Sequence, residues 1–214
     1  ALSSLKQRQQ NITVSKRDNI YANQGNKPGP FRFDEQVVAV FPDMITRSVP
    51  GYALIVPMIG QIARRYVQPD SVVHDLGSSL GAVSLAIQEG LRGRSGLGST
   101  RIIATDNSQA MVNRFTELLA TRVTEDQGLV PLQPALGDIR EVDFSGASMV
   151  VLNFTLQFLA LDERDTLLRR IGDSLSPGGV LILAEKICFE SEAVQRDLAA
   201  LEARIGRLYG EALA

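Results

Sequence analysis

SVVHDLGSSLGA, residues 71–82, is the stretch on which the fold turns. A β-branched run ends at Gly77, a second glycine follows four positions later, and GAVSLAIQEGL continues at helical spacing. A strand that turns through glycine into a helix is the opening unit of an open α/β sheet, and such sheets bind ligands at the carboxyl edge of their strands. Gly77 and Gly81 permit a tight turn and close approach of a ligand to the backbone. The N–H groups opening the next helix suit a ligand carboxylate. Asp75 can accept hydrogen bonds or balance a cation. On its own, a loop of this kind is equally well read as a turn.

Working outward, strand and helix alternate. RIIATD (101–106) reads as a strand and SQAMVNRFTELLATRV (108–123) as a helix. LVPLQPAL (129–136) is a weaker strand candidate. SMVVLNFTLQFL (148–159) begins as a buried strand, and DERDTLLRRIGDSL (162–175) reads as a helix capped by Asp162 and ended by SPGG. VLILAEKICF (180–189) is a further strand, and a long helix is expected from Ser191. Upstream, Ile55, Ile59, Ile62, Ala63 and Tyr66 recur at helical spacing over Tyr52–Tyr66, with Pro57 suggesting a kink or a later start. Asp34 is placed to cap a helix through Val37, Val38 and Phe41, ended by Pro42. The expectation is an α/β fold with a mainly parallel sheet and helices on both faces. Residues 1–30, polar and closing in NQGNKPGP, read as a mobile arm or linker, with one α/β domain over 31–214.

Composition narrows the function. Lys and Arg number 22 against 24 Asp and Glu, net −2, which speaks against a mainly electrostatic nucleic-acid binder. One cysteine, Cys188, excludes an intrachain disulfide and fits a reducing cytoplasm. One histidine and no Cys/His cluster leave a zinc site of the usual kind without ligands, so no metal is expected. A catalytic triad would have to use His74, for which no partner is identifiable. No membrane-spanning run or signal-peptide core is recognisable, and a cytoplasmic protein is expected.

Three further elements give the loop a ligand. Asp106 ends the second strand, 25 positions after Gly81. An acid at that place can hold both ribose hydroxyls of an adenosine. Its other role, capping the next helix, can fall to Ser108. In Gly137-Asp138-Ile139-Arg140, Asp138 can accept an adenine amino group while Ile139 packs on the ring, though Asp after Gly is also an ordinary turn residue. Asn153 emerges after three aliphatics at the ligand edge, with helix capping as the alternative. Phe154 and Phe158 are expected to pack in the core. DLGSSLGA lacks the G-x-G-x-x-G that seats a pyrophosphate. In this order the elements resemble the Rossmann-like class I S-adenosylmethionine-dependent methyltransferases.

Over residues 31–190 the resemblance narrows. FDEQVVAVFPDMITRSVPGY, DLGSSLGA, IIATDNSQAM, GDIR, ASMVVLNFTLQFL, SPGGVLILAEK and FE are similar to the carboxy-S-adenosyl-L-methionine synthase family. That resemblance implies conversion of S-adenosyl-L-methionine and prephenate to carboxy-S-adenosyl-L-methionine and phenylpyruvate, the product serving modification of tRNA wobble uridine by a separate enzyme. It implies that Tyr52 contacts the amino-acid part of the ligand. Gly77, Ser78 and Ser79 would form the loop around it, with Asp106 and Asn107 at the ribose, Asp138 and Ile139 at the adenine, and Asn153 at the next strand end. A homodimer is implied, with no direct nucleic-acid contact. No residue stands out as a catalytic base; Arg47 can help bind anionic groups or be a surface arginine.

Two departures stand. Ser78 occupies a place where the family usually has Cys. Beyond Ala214 the family continues with more helix, a closing strand pair and an arginine for the product carboxylate. Arg204 and Arg207 are the candidates in hand for that arginine, and segments beyond this text are expected because a bare sheet edge invites aggregation. Two other readings stay open: an S-adenosylmethionine-dependent methyltransferase acting on a small molecule or tRNA, and a non-catalytic S-adenosylmethionine-binding module.

Overall fold

The computed structural model describes residues 44–45, 49, 51–122, 128–187, 191–194, 196–197 and 200–201. The N-terminal arm, the helix expected from Asp34, Arg47, Cys188, Arg204 and Arg207 lie outside the described residues. So does most of the long C-terminal helix, of which the described residues from 192 onward are helical.

In chain order the elements are α1 (Tyr52–Tyr66), β1 (Val72–Leu76), α2 (Ala82–Leu91), β2 (Arg101–Asp106), α3 (Gln109–Thr121), β3 (Leu132–Leu136) and β4 (Ala147–Asn153). A single turn of 3₁₀ helix over Leu156–Phe158, then α4 (Leu161–Ser174) and β5 (Val180–Ala184), follow. All the strands pair in parallel in the order β3-β2-β1-β4-β5. The chain builds outward from β1 through β2 to β3, then returns to β1's other side with β4. This reversal leaves a crevice above the tips of β1 and β4, the place where open α/β sheets hold ligands.

Two apolar layers clamp the sheet. On one face Ile59 and Ala63 of α1 and Val83, Ile87 and Leu91 of α2 pack on Val73, Ile102, Met149 and Val151. On the other, Leu167 and Ile171 of α4, with Phe144, pack on Leu76, Val150 and Leu152. Each such side chain withdrawn from water contributes about 1.5–3 kcal/mol before chain entropy is counted. The continuous burial of β1 and of Ala147–Leu152 is what a central parallel strand requires. β3 is weak in sequence because it is an edge: Pro134, opposite Ala104, withholds an N–H where only an edge strand can spare one.

α1 spans Tyr52–Tyr66 as the spacing predicts, starting ahead of Pro57 and running through it. One helix expectation changes. α4 is capped from Ala160 rather than Asp162. Ala160 has no side-chain oxygen to offer, and Glu163 reaches back to accept the Ala160 N–H at 3.2 Å, while Asp162 sits in the first turn. Gly60, a poor helix former in mid-helix, is explained by a crossing. Its Cα face lies on the Ala86 carbonyl of α2, and a Cβ there would overlap that backbone.

Candidate nucleoside-binding site

The loop after β1 is shaped by left-handed backbone at Gly77 (φ 74°), Ser79 (φ 51°) and Gly81 (φ 78°). Gly81 is needed twice over: it takes the left-handed position, and a Cβ would overlap the Phe115 ring of α3. The loop is fixed to the neighbouring strand by Gly77 N–H and Ser78 N–H donating to the Thr105 carbonyl at 2.8 and 3.0 Å. On the other side Thr155 Oγ1 donates to the Leu76 carbonyl at 2.8 Å. The tips of β2, β1 and β4 are thereby one rigid edge.

Above that edge lies a cavity of about 640 Å³. Tyr52, Gly77, Ser78, Ser79, Asp106, Asn107, Asp138, Ile139 and Asn153, the whole set implied by the resemblance, line this one cavity. Asp75, Thr155, Glu163 and Lys186 also line it, as do Met44, Ile45 and Val49 on its apolar side.

Asp106 is 8% exposed. Its Oδ1 accepts the Ser108 N–H at 2.9 Å and its Oδ2 the Ser79 N–H at 2.8 Å. Burial pushes its pKa up, and those two hydrogen bonds oppose the rise. Ser108 caps α3 through Met111 N–H at 3.3 Å, so Asp106 is not the cap. Each carboxylate oxygen keeps acceptor capacity beyond its one bond. Asp75, fully enclosed, is pushed up to about 6 by burial, against a hydrogen bond from Ser84 Oγ at 2.6 Å. Tyr52 is raised to about 12, first by burial and then by Asp75, so it stays a donor.

Asn153 is not a cap either: α4 is capped at Ala160, and the 3₁₀ turn is entered from Thr155 with no side-chain cap. Its Oδ1 is buried and has no partner among the described residues, an unmet acceptor on the cavity wall. Phe154 follows with φ 59°, unusual for a bulky residue, and its ring lies 6.5 Å from that of Tyr52. Neither phenylalanine packs in the core as expected: Phe154 faces the cavity and Phe158 is 64% exposed. The 154–158 turn is instead held by groups the sequence does not connect to it. Glu185 Oε1, just past β5, accepts the Leu156 N–H at 2.6 Å. Arg164 donates to the Leu159 and Gln157 carbonyls at 3.0 Å.

Asp138 is exposed on one side and paired to Arg140 on the other, which holds its carboxyl below the usual range through hydrogen bonds and charge. Ile139 is buried among Leu152, Phe144 and Leu156 while also reaching the cavity. His74 points the other way. Both its ring nitrogens are buried without partners among the described residues, and its ring meets Phe144 edge-on at 5.4 Å. Among the described residues no three His, Cys, Asp or Glu side chains group as a metal would need, and no helix is long and apolar enough to cross a membrane.

Comparison with known proteins fits this geometry. Residues 74–183 match the family model described as a methyltransferase domain. A carboxy-S-adenosyl-L-methionine synthase from Shewanella denitrificans is 50% identical over 181 residues, spanning 85% of this chain and 71% of the relative. The chain belongs to the carboxy-S-adenosyl-L-methionine synthase family. A second synthase, from Shewanella amazonensis, is 47% identical over 197 residues, 92% of this chain and 78% of its own length. The synthase fold is shared more widely. A Methanococcus maripaludis structure assigned to the S-adenosyl-L-methionine-dependent methyltransferases superposes with TM-score 0.54 at 21% identity, covering 87% of this chain and 78% of the other. DesVI from Streptomyces venezuelae superposes at 0.52 and 16% identity, covering 75% and 61%. At those identities the likeness speaks for the Rossmann-like class I fold alone.

Proposed function

We propose that the cavity binds S-adenosyl-L-methionine and that the chain converts it, with prephenate, to carboxy-S-adenosyl-L-methionine and phenylpyruvate, for later use on tRNA wobble uridine. The observation that carries the reading is the convergence of the β1, β2, β3 and β4 tips on one cavity whose wall holds Asn153 Oδ1, unpaired among the described residues. The donor set fits the ligand. Asp106 has acceptor capacity for ribose hydroxyls, Asp138 for an amino group, and Ile139 offers an apolar surface for a base. Asn153 and Tyr52 face the amino-acid end, beside the loop of Gly77, Ser78 and Ser79.

In the overall reaction prephenate gives up its ring carboxylate as CO₂ and its ring hydroxyl as it aromatises. The CO₂ ends on the sulfonium-bound carbon, and the proton displaced from that carbon leaves with the hydroxyl as water. The chain's part is to hold the two partners in contact and keep bulk water away, which advances a reaction otherwise limited by encounter and by competing protonation. Met44, Ile45 and Val49 provide the apolar wall. Asp75, enclosed and bonded to Ser84, is placed to hold the floor of the site rather than to contact the reacting carbon.

The test is mass spectrometry of the purified chain after incubation with S-adenosyl-L-methionine and prephenate. Carboxy-S-adenosyl-L-methionine and phenylpyruvate formed together support the proposal. Transfer of a labelled methyl group to an acceptor, or tight ligand binding with no turnover of prephenate, overturns it.

A further inference from the structure

Asp138 is held in a way that the family resemblance does not require. Its Oδ1 accepts the Arg140 backbone N–H at 2.8 Å, Arg140 Nε lies 3.0 Å from both oxygens, and Nη2 donates to Oδ2 at 2.5 Å. Three N–H donors thus occupy a carboxylate with about four lone-pair directions, leaving one open. The remaining arm of the guanidinium, Nη1, donates to Glu163 Oε1 at 2.5 Å, on the first turn of α4. Glu163 is itself fixed by the Ala160 N–H at 3.2 Å. From two turns further along α4, Arg170 donates to the carbonyl oxygens of Arg140 and Val142.

Stability does not account for this. The side chains of Arg140, Asp138 and Glu163 are 49%, 32% and 34% exposed, and pairs so open to water contribute only about 0–1 kcal/mol. All three line the cavity. What the arrangement does accomplish is to fix a direction and a charge. The carboxylate cannot rotate while both oxygens are gripped, and the guanidinium keeps it ionised, hence an acceptor only. An ionised acceptor with one open direction welcomes an exocyclic amino group and repels an exocyclic carbonyl.

We propose that Arg140, anchored by Glu163, is a positioning residue that fixes Asp138 as a one-direction acceptor and thereby makes the cavity select a 6-aminopurine nucleoside over its 6-oxo counterpart. The inference rests on the reading that Asp138 faces the purine base.

Calorimetric titration of the 214-residue chain with S-adenosylhomocysteine and with S-inosylhomocysteine tests it. The unaltered chain is expected to prefer the amino form by about 10–100-fold, the range for a site built around a charged hydrogen bond. Arg140→Gln should cut that preference about tenfold, Glu163→Gln should reduce it in the same direction, and Arg140→Lys should restore part of it. A merely structural role would lower both affinities together and leave their ratio alone. Wild-type preference in both Arg140→Gln and Glu163→Gln, with preference lost in Asp138→Asn, overturns the inference while sparing the base reading. Wild-type preference in Asp138→Asn overturns both. Glu163→Gln lies on the helix surface and carries the test alone if Arg140→Gln does not fold.

Discussion

The carboxylate of Asp106 accepts the backbone N–H of Ser79 at 2.8 Å, joining the tip of β2 to the loop after β1. The residue proposed to hold the ribose also sets the shape of the loop proposed to hold the amino-acid end, so the two subsites are one mechanical unit.

Asp106→Ala should therefore weaken S-adenosylhomocysteine binding by about 1–3 kcal/mol, through a lost acceptor and a loosened loop. Isothermal calorimetry reads this directly, and unchanged affinity would remove Asp106 from the site.

Asn153→Ala should separate binding from stability. The Oδ1 has no partner among the described residues, so deleting it removes a desolvated acceptor without breaking a bond among them. The expected outcome is a urea midpoint unchanged or slightly raised, with ligand affinity lower by roughly 1 kcal/mol. A large loss of stability with affinity intact would contradict it.

Gly81→Ala should be among the more damaging small substitutions in the chain. The added methyl would meet the buried Phe115 ring at a left-handed backbone position. Overpacking and strain of this kind cost about 1–3 kcal/mol each. Thermal unfolding should show a clear drop in midpoint, larger than that of a Gly93→Ala control, which shares the left-handed backbone (φ 68°) but has open space in place of the ring.

Acidification should act on β1 in two opposite senses. Burial, aided by Arg101 and opposed by Asp143, lowers His74 from 6.5 to about 4. The unfolded chain then takes up the proton first, so stability held above pH 6.5 is lost as pH falls towards 4, by on the order of 3 kcal/mol in all. Asp75 is raised from 3.8 to about 6, so its contribution is full below pH 3.8 and is lost as pH rises through 6. The two oppose each other between pH 4 and 6. Urea unfolding of His74→Leu should show stability rising on going from pH 7 to 5, and Asp75→Asn should show it falling. Parallel pH profiles for the two variants would refute this.

The alternation of strands and helices was legible because each element carries its own period and punctuation. The β-branched runs end at Gly77 and Asp106, and SPGG closes α4. That Ser108 and not Asp106 caps α3 was legible too, since a serine stands just ahead of the helical run. What the sequence hid depends on partners far along the chain. Glu163 meets Arg140 across 23 positions and Glu185 meets Leu156 across 29. Phe154 and Phe158 looked like core because hydrophobicity says that a ring is buried, not against what. Asp162 looked like a cap because carboxylates favour that place, but the chain caps α4 at Ala160, two residues earlier, and Glu163 supplies the acceptor instead. Gly60 looked like a blemish in a helix until α2 was laid across it.

The cavity wall draws on residues from Met44 to Lys186, among them four strand tips that meet only when β4 has slid in beside β1. An occupant therefore reports on assembly of the central strands as a group. Amide exchange in β1, β2 and β4 should slow in concert when the ligand is added, and a chain nicked between β3 and β4 should release it unless the halves stay clasped.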